Sequence, residues 1–163
     1  MKLTFPENFI FGTSTAAAQI ETAFEHDWQG IQARNGFVFD RTTDHEKRFK
    51  EDAGIIASLA PNYRMGLMWS KLQREPFGAF HPETAKEYHL FIQDLKSKGV
   101  GIMMVLHHFT NPLWFSNIGG WEKVENIPLW IDFARKVVDE FGQYVSFWNT
   151  FNEPNVYASY GWI

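Results

Sequence analysis

One carboxylate in this sequence has a clear chemical address. Glu153 lies in Trp148-Asn149-Thr150-Phe151-Asn152-Glu153-Pro154-Asn155, directly after Val145-Ser146-Phe147-Trp148. The run Val145 to Trp148 has the apolar, aromatic and β-branched character of a short strand, while Asn152, Pro154 and Asn155 are residues of a strand exit. Glu153 is therefore expected to project from a strand end, paired with the amide of Asn152. In an (α/β) barrel the catalytic side chains stand at the C-terminal ends of the strands, so this pairing reads as chemistry rather than packing. The competing role is a glutamate at the first turn of the next helix, where the helix dipole stabilises an anion.

The elements that must position Glu153 follow from periodicity. Phe9 to Thr13 reads as a first short strand, followed by an irregular stretch to about Thr43. Thr43 and Glu46 have capping-box spacing, and Phe49, Ala53, Ile56 and Ala60 recur at helical intervals, so a helix is expected from about Asp44 to Ala60. Tyr63 to Trp69 reads as strand two. Pro82 suits the first turn of a helix whose stripe is Ala85, Tyr88, His89, Ile92 and Leu95, ending before Gly99. Gly101 to Leu106 is a nearly continuous apolar run, as in a parallel strand buried on both faces. Pro128 opens a third helix, with Trp130, Ala134, Val137, Val138 and Phe141 expected to face inward. Strand four then delivers Glu153. The order β, α, β, α, β, α, β, without linker or repeat, implies parallel right-handed βαβ units in one sheet. Four strands are half of an eight-stranded barrel, which takes about 250 residues or more. The chain is thus either an open sheet or the first half of something larger.

Composition narrows the function classes. The 163 residues are 45% hydrophobic and 21% charged, enough for one domain with a sizeable core, and no uninterrupted apolar stretch is long enough to cross a bilayer. A formal charge of -4 lacks the basic footprint of a nucleic-acid binder. With zero cysteines there is neither a disulfide framework nor a thiol nucleophile, and the opening Met1 to Pro6 lacks the apolar core of a signal peptide, so a cytoplasmic location is the expectation. His107 and His108 are adjacent, so on a strand they point to opposite faces and cannot share a metal. No phosphate loop or dinucleotide glycine motif is present, and no cofactor is implied. The 17% aromatic content suits stacking on sugar rings and a large aromatic core equally well.

Four segments in order resemble the family 1 glycoside hydrolases, the β-glucosidase and β-galactosidase family, over nearly the whole chain. Phe5 to Glu21 is similar to that family's N-terminal signature and Tyr63 to Ser70 to its second strand. Leu106-His107-His108-Phe109 is similar to its third strand and Thr150-Phe151-Asn152-Glu153-Pro154 to its fourth. The resemblance implies residues 1 to 163 as the N-terminal half, about four βα units, of a single (β/α)8 TIM-barrel catalytic domain acting on a β-glycoside. It implies Glu153 as general acid/base and Asn152 as partner of the sugar 2-hydroxyl. Gln19 and His108 would hold hydroxyls of the nonreducing sugar, and Arg64 would orient the nucleophilic carboxylate and keep it ionised. Phe109 replaces the family's tryptophan, keeping a stacking face without the indole donor. Trp121, after Gly119-Gly120, either faces sugar or packs. Thr22 stands where the family usually has glycine.

A retaining mechanism needs a second carboxylate about 5 to 5.5 Å from the first. The family carries it on strand seven in a Glu-Asn-Gly context that this sequence lacks. Glu21, Glu75 and Glu122 lie near expected strand exits but are expected to be solvated loop charges. Three states are compatible with this reading: an enzyme portion completed by a C-terminal half-barrel, a non-catalytic carbohydrate-binding unit, and a half-barrel that self-associates through its open edges. The unpaired edges and the barrel-interior side, with residues from Ile102 to Leu106, are expected to seek partners. Which β-glycoside is bound is not legible in the sequence.

Overall fold

The computed structural model describes residues 4–162. Met1 to Leu3, part of the opening segment read above for a leader, and the terminal Ile163 lie outside the described residues. The elements in chain order are β1 (Thr13–Ser14), α1 (Ala17–Ile20), α2 (His45–Leu59), β2 (Asn62–Gly66) and α3 (Trp69–Leu72). They continue with α4 (Pro82–Ser97), β3 (Gly101–His107), α5 (Leu113–Asn117), α6 (Ile127–Phe141), β4 (Phe147–Phe151) and α7 (Pro154–Trp162). The four strands pair in the order β1-β2-β3-β4, every neighbour parallel. A doubly wound sheet reverses its strand order at a switch point, whereas sequential order with the helices on one side is the winding of a (β/α)8 barrel.

The alternation of side chains along β2 and β3 explains the one-sided packing. Tyr63 pairs with Ile102 and Met65 with Met104, and all four are buried among residues of α2, α4 and α6. The intervening row runs Ser14, Arg64, Met103, Phe147 across all four strands and is only partly covered, with Phe147 45% exposed. Successive strand residues point to opposite faces, so one face is the helix-covered core and the other carries Arg64. The expectation that Ile102 to Leu106 as a run would face water is thereby corrected. Ile102, Met104 and Leu106 lie in the helix-covered core, and Val105 is also buried.

Several boundaries shift for identifiable reasons. The strand expected at Phe9 to Thr13 forms only at Thr13–Ser14. Phe5, Phe9 and Phe11 instead pack their rings on one another at 4.7 to 4.9 Å while staying about half exposed, and the Asn62 side chain holds the Phe11 carbonyl. Strand two ends at Gly66 rather than Trp69. Beyond it the Met68 N–H donates to the buried Tyr88 hydroxyl, and Trp69 begins a helical turn. The capping box at α2 does not form: the Thr43 hydroxyl donates to the Ile20 carbonyl, Glu46 accepts from the Thr22 N–H, and Asp44 precedes the helix with φ 55. Both side chains tie down the loop after α1, a tertiary partner outcompeting the local one. The α4 stripe packs as expected apart from His89, which is partly exposed and paired with Glu140, and it also includes Phe91. On α6 the inward stripe is Leu129, Phe133, Val137 and Phe141, while Val138, expected inside, is 45% exposed. Strand four runs from Phe147 to Phe151 because Val145 belongs to the preceding turn.

The two readings of α6 differ energetically. Phe133 is fully buried, stacked 5.0 Å from Trp69 and tilted against Phe80. Phe133→Ala is expected to cost about 3–5 kcal/mol, and Val138→Ala within about 0.5 kcal/mol, in urea denaturation monitored by circular dichroism. Equal costs would show that the inward face of α6 has been misassigned.

Candidate active site

The site is built at the C-terminal ends of the strands. Arg64, near the end of β2, donates from Nη2 to Asn152 Oδ1 at 2.6 Å and from Nη1 to Ser14 Oγ at 3.4 Å. Asn152, buried beyond the end of β4, donates in turn from Nδ2 to Glu153 Oε2 at 3.2 Å. The direction of this chain is forced by its ends. A guanidinium has only donors and an ionised carboxylate only acceptors, so the intervening amide must turn its oxygen to Arg64 and its NH2 to Glu153. An aspartate at the same place would set two carboxylates face to face.

Glu153 itself is exposed and has φ 45, and it stands immediately before α7. Its carbonyl accepts the Tyr157 N–H at 2.9 Å. The strand-exit and helix-start readings of this glutamate therefore both describe it: strand four ends two residues earlier and α7 begins one residue later. Phe109, just past the end of β3, also has positive φ, at 70. Such conformations in non-glycine residues cost on the order of 1–3 kcal/mol each and persist only where surrounding contacts hold them. One such contact is the Asn152 N–H donating to the His107 carbonyl at 2.9 Å, which laces the two strand exits together.

His107 and His108 part company as adjacent residues should. His107 is buried among rings, 5.0 Å from Phe151 and 5.4 Å from Tyr157, with Nε2 bonded to Asn111 Oδ1 at 2.9 Å. Burial pushes its pKa down to about 4. His108 is also lowered to about 4, by burial first and then by the nearby Arg64 charge. Its Nδ1 is buried and has no hydrogen-bond partner among the described residues. Both imidazoles are therefore neutral at pH 7, and because Nδ1 of His108 is buried, its partly exposed ring can meet a hydroxyl only through Nε2.

The remaining sequence candidates divide. Gln19, in the one-turn α1, is exposed, and only its backbone N–H is tied down, to the Ala16 carbonyl. Phe109 stacks between Trp28 and Tyr157. Trp121 is taken up by packing: its Nε1 donates to Asn111 Oδ1 at 2.8 Å, and its ring meets Phe115, His107, Phe151 and Trp130. Glu21 is not the solvated loop charge expected. It is 3% exposed, bonded to Lys71 Nζ at 3.0 Å and to the Tyr88 hydroxyl at 2.9 Å, and burial raises its pKa despite the lysine. Glu75 and Glu122 are exposed.

Sequence reasoning missed Ser14 and the hub at Asn111. The Asn111 side chain is saturated: Nδ2 donates to Asp27 Oδ2 at 2.7 Å and to the Tyr157 hydroxyl at 2.9 Å, while Oδ1 accepts from Trp121 and His107. It joins the loop after α1, the exit of β3 and α7. Its signal was available, since Asn111-Pro112 is a polar, φ-fixing pair just beyond a strand end.

With this geometry in view, comparison with known proteins is decisive, because the glycosyl hydrolase family 1 model matches residues 1–163. The chain belongs to that family. It is 33% identical over 170 residues to beta-glucosidase 3 of Arabidopsis thaliana, covering 99% of this chain and 34% of the relative. To the 6-phospho-beta-galactosidase of Clostridium acetobutylicum it is 31% identical, covering 98% of this chain and 35% of that one. The beta-glycosidase from Pyrococcus horikoshii superposes with a TM-score of 0.85 at 34% identity, over 99% of this chain and 38% of that structure. The chain thus spans about a third of the length of the curated relatives it matches, and its sheet corresponds to part of their barrel. Among the described residues no helix is long and apolar enough to cross a membrane.

The strand-exit histidines His107 and His108 give the fold a pH dependence. Unfolded imidazole takes up a proton near pH 6.5, while the folded chain resists protonation of His107 and His108 until about pH 4. Between those values the unfolded state binds more protons, so the stability these residues contribute is complete above about pH 6.5 and falls as the pH drops towards 4. Urea midpoints across this range should fall more steeply for the natural chain than for His108→Gln. Parallel profiles would show that His108 titrates normally.

Proposed function

We propose that this chain supplies the acid–base half of the active site of a retaining β-glycosidase. The observation that carries the reading is the Arg64–Asn152–Glu153 chain at the strand ends of a family 1 protein. Glu153, exposed and poised where α7 begins, protonates the glycosidic oxygen and later deprotonates the incoming water. Asn152 has one NH2 hydrogen on Glu153 and a second for the sugar 2-hydroxyl, a bond that strengthens as oxocarbenium character develops. Arg64 uses part of its fork on Asn152 and Ser14, and its remaining donors serve the nucleophilic carboxylate. The partly exposed imidazole of His108 and the exposed amide of Gln19 hold other hydroxyls of the same sugar, beside the ring of Phe109.

The nucleophile comes from a C-terminal half-barrel. Glu21 does not serve, because its carboxylate is committed to Lys71 and Tyr88 beneath α4. The partner's seat is the open face bearing Arg64 and the free edges of β1 and β4, where Phe147 and Trp148 are 45% and 39% exposed. Strand edges and apolar rows of this kind pair with whatever complements them, including a second copy when the half-barrel is missing. The names of the relatives cover both glucosidase and 6-phospho-galactosidase, so the substrate class is a β-glycoside and no single sugar is assigned.

An aryl β-glucoside assay tests the reading directly. The chain alone is expected to turn over no faster than its Glu153→Gln variant. Mixing it with the segment of the Pyrococcus relative that lies beyond the matched region should restore turnover that Glu153→Gln lowers by about 10²–10⁴-fold. Turnover by the chain alone, lost in Glu153→Gln, would refute the incomplete site. Restoration that ignores Glu153→Gln would refute its role as acid/base. In light scattering across a dilution series, the chain by itself is expected to associate and the mixture to give a one-to-one particle. A compact monomer at micromolar concentration would contradict the exposed-edge argument.

A further inference from the structure

Four side chains meet the buried Asn111 amide, and only two of them have a choice of role. Oδ1 faces Trp121 Nε1 at 2.8 Å and His107 Nε2 at 2.9 Å, while Nδ2 faces Asp27 Oδ2 at 2.7 Å and the Tyr157 hydroxyl at 2.9 Å. An indole N–H only donates and a carboxylate only accepts, so Trp121 and Asp27 fix the sense of the amide from opposite sides. His107 is left with one role: its Nε2 carries the proton and donates to Asn111 Oδ1. Asp27 holds Asn111 twice, since its Oδ1 also accepts the Asn111 backbone N–H at 2.9 Å. The loop that carries Asp27 is strapped to the same place, with its N–H on the Asn111 carbonyl and the Leu113 N–H on the Glu25 carbonyl. Both Asn152 and Glu153 hang from this amide through one intermediate. The Asn152 N–H donates to the His107 carbonyl and the Tyr157 N–H to the Glu153 carbonyl, each at 2.9 Å, and Asn111 grips the side chains of both His107 and Tyr157.

We propose that Asp27 is a positioning residue for Asn152 and Glu153: by fixing which way the Asn111 amide faces, it sets the tautomer of His107 and the seat of Tyr157, and through them the exit of β4 and the first turn of α7. That the pair so placed performs acid–base chemistry rests on the glycosidase reading; the relay itself rests on hydrogen-bond directions alone. Glu153 needs to be held from outside, because its φ of 45 is one that its own side chain disfavours. An asparagine at position 27 breaks the relay whichever way it turns. With its oxygen towards the Asn111 side chain, its NH2 meets the Asn111 backbone N–H. With its NH2 towards that side chain, the Asn111 amide must reverse. The reversed NH2 then meets the Trp121 indole N–H, and His107 must accept at Nε2 and carry its proton on Nδ1. Removing the indole donor as well leaves the reversed arrangement with every partner satisfied.

The relay is read without any substrate, from the imidazole nitrogens of His107 in the ¹⁵N-labelled chain at pH 7, where that ring is neutral. Long-range ¹H–¹⁵N correlations should show the Nε2–H tautomer in the natural chain and still in Trp121→Phe, where Asp27 alone sets the amide. The double variant Asp27→Asn/Trp121→Phe should show Nδ1–H, with the Asn152 and Glu153 backbone amides shifted. Trp121→Phe keeps a ring in the aromatic packing, so it reads the relay even where the double variant does not fold. An Nδ1–H imidazole in the natural chain, a switch in Trp121→Phe alone, or an unchanged tautomer in a folded double variant would overturn the proposal. In the protein complemented with the missing segment, Asp27→Asn should lower kcat for an aryl β-glucoside about tenfold to a hundredfold and move KM less than about threefold, the pattern of a misplaced reacting group. The expected tautomers together with turnover that Glu153→Gln does not slow would keep the relay and remove the glycosidase reading. Turnover that Glu153→Gln lowers but Asp27→Asn leaves unchanged would overturn the positioning role alone.

Discussion

The constraint on which everything else depends is the register of β2 against β3. Pairing Tyr63 with Ile102 and Arg64 with Met103 sends one row under the helices and the other to the open face. Because strand side chains alternate with period two, a slip of one residue would carry Tyr63 out of its ring contacts with Phe91 and drive the Arg64 guanidinium into an apolar core. Burial of a lone cation there would cost far more than any hydrogen bond could return. The apolar matching of Tyr63, Met65, Ile102 and Met104 thus places the arginine, and the arginine places the Asn152 amide. The chemistry of the strand ends is in this sense a by-product of core packing one residue away.

The strand exits are held by polar ties as well as by the packing of rings. Phe109 and Glu153 both occupy left-handed backbone that their side chains disfavour, and both lie where a strand gives way to a loop or helix. The Asn152 to His107 backbone bond and the Asn111 hub connect these exits, so the strain is shared by a network that spans three loops. Directionality matters as much as strength. Asn111 and Asn152 are each used as two-faced groups, oxygen one way and NH2 the other, which neither an aspartate nor a leucine could imitate.

Two glutamates show how environment assigns roles within a single chain. Glu21 is enclosed by Lys71 and Tyr88 and held under α4, where burial raises its pKa and its oxygens are occupied. Glu153 stands in solvent with one oxygen on Asn152 and the other open. The first stabilises the packing of the loop after α1 against α3 and α4. The second is available for proton transfer. Glu21 follows the helical turn α1 and Glu153 the strand β4, and nothing in their immediate neighbours announces which will be enclosed.

Local patterning determined the architecture: alternating apolar runs and 3.6-residue stripes were enough for β2, β3, α4 and the parallel βαβ order. Helix α4 was legible almost to the residue, since Pro82 and the stripe from Ala85 to Leu95 depend only on near neighbours. So was the placement of Glu153 at a strand end, because an apolar run followed by Asn-Glu-Pro is a local signal. The tertiary structure decided what depends on distant partners. Thr43 and Glu46 abandon a local cap for Ile20 and Thr22, and of the two roles open to Trp121, facing sugar or packing, its indole N–H takes up packing against Asn111. Val138 yields its inward place to Phe133, whose ring finds Trp69 from α3. The reason is physical: periodicity and turn chemistry are sums over adjacent residues. Hydrogen-bond partners, burial and the pKa of a carboxylate or imidazole are fixed by atoms brought close only when the sheet has closed its register.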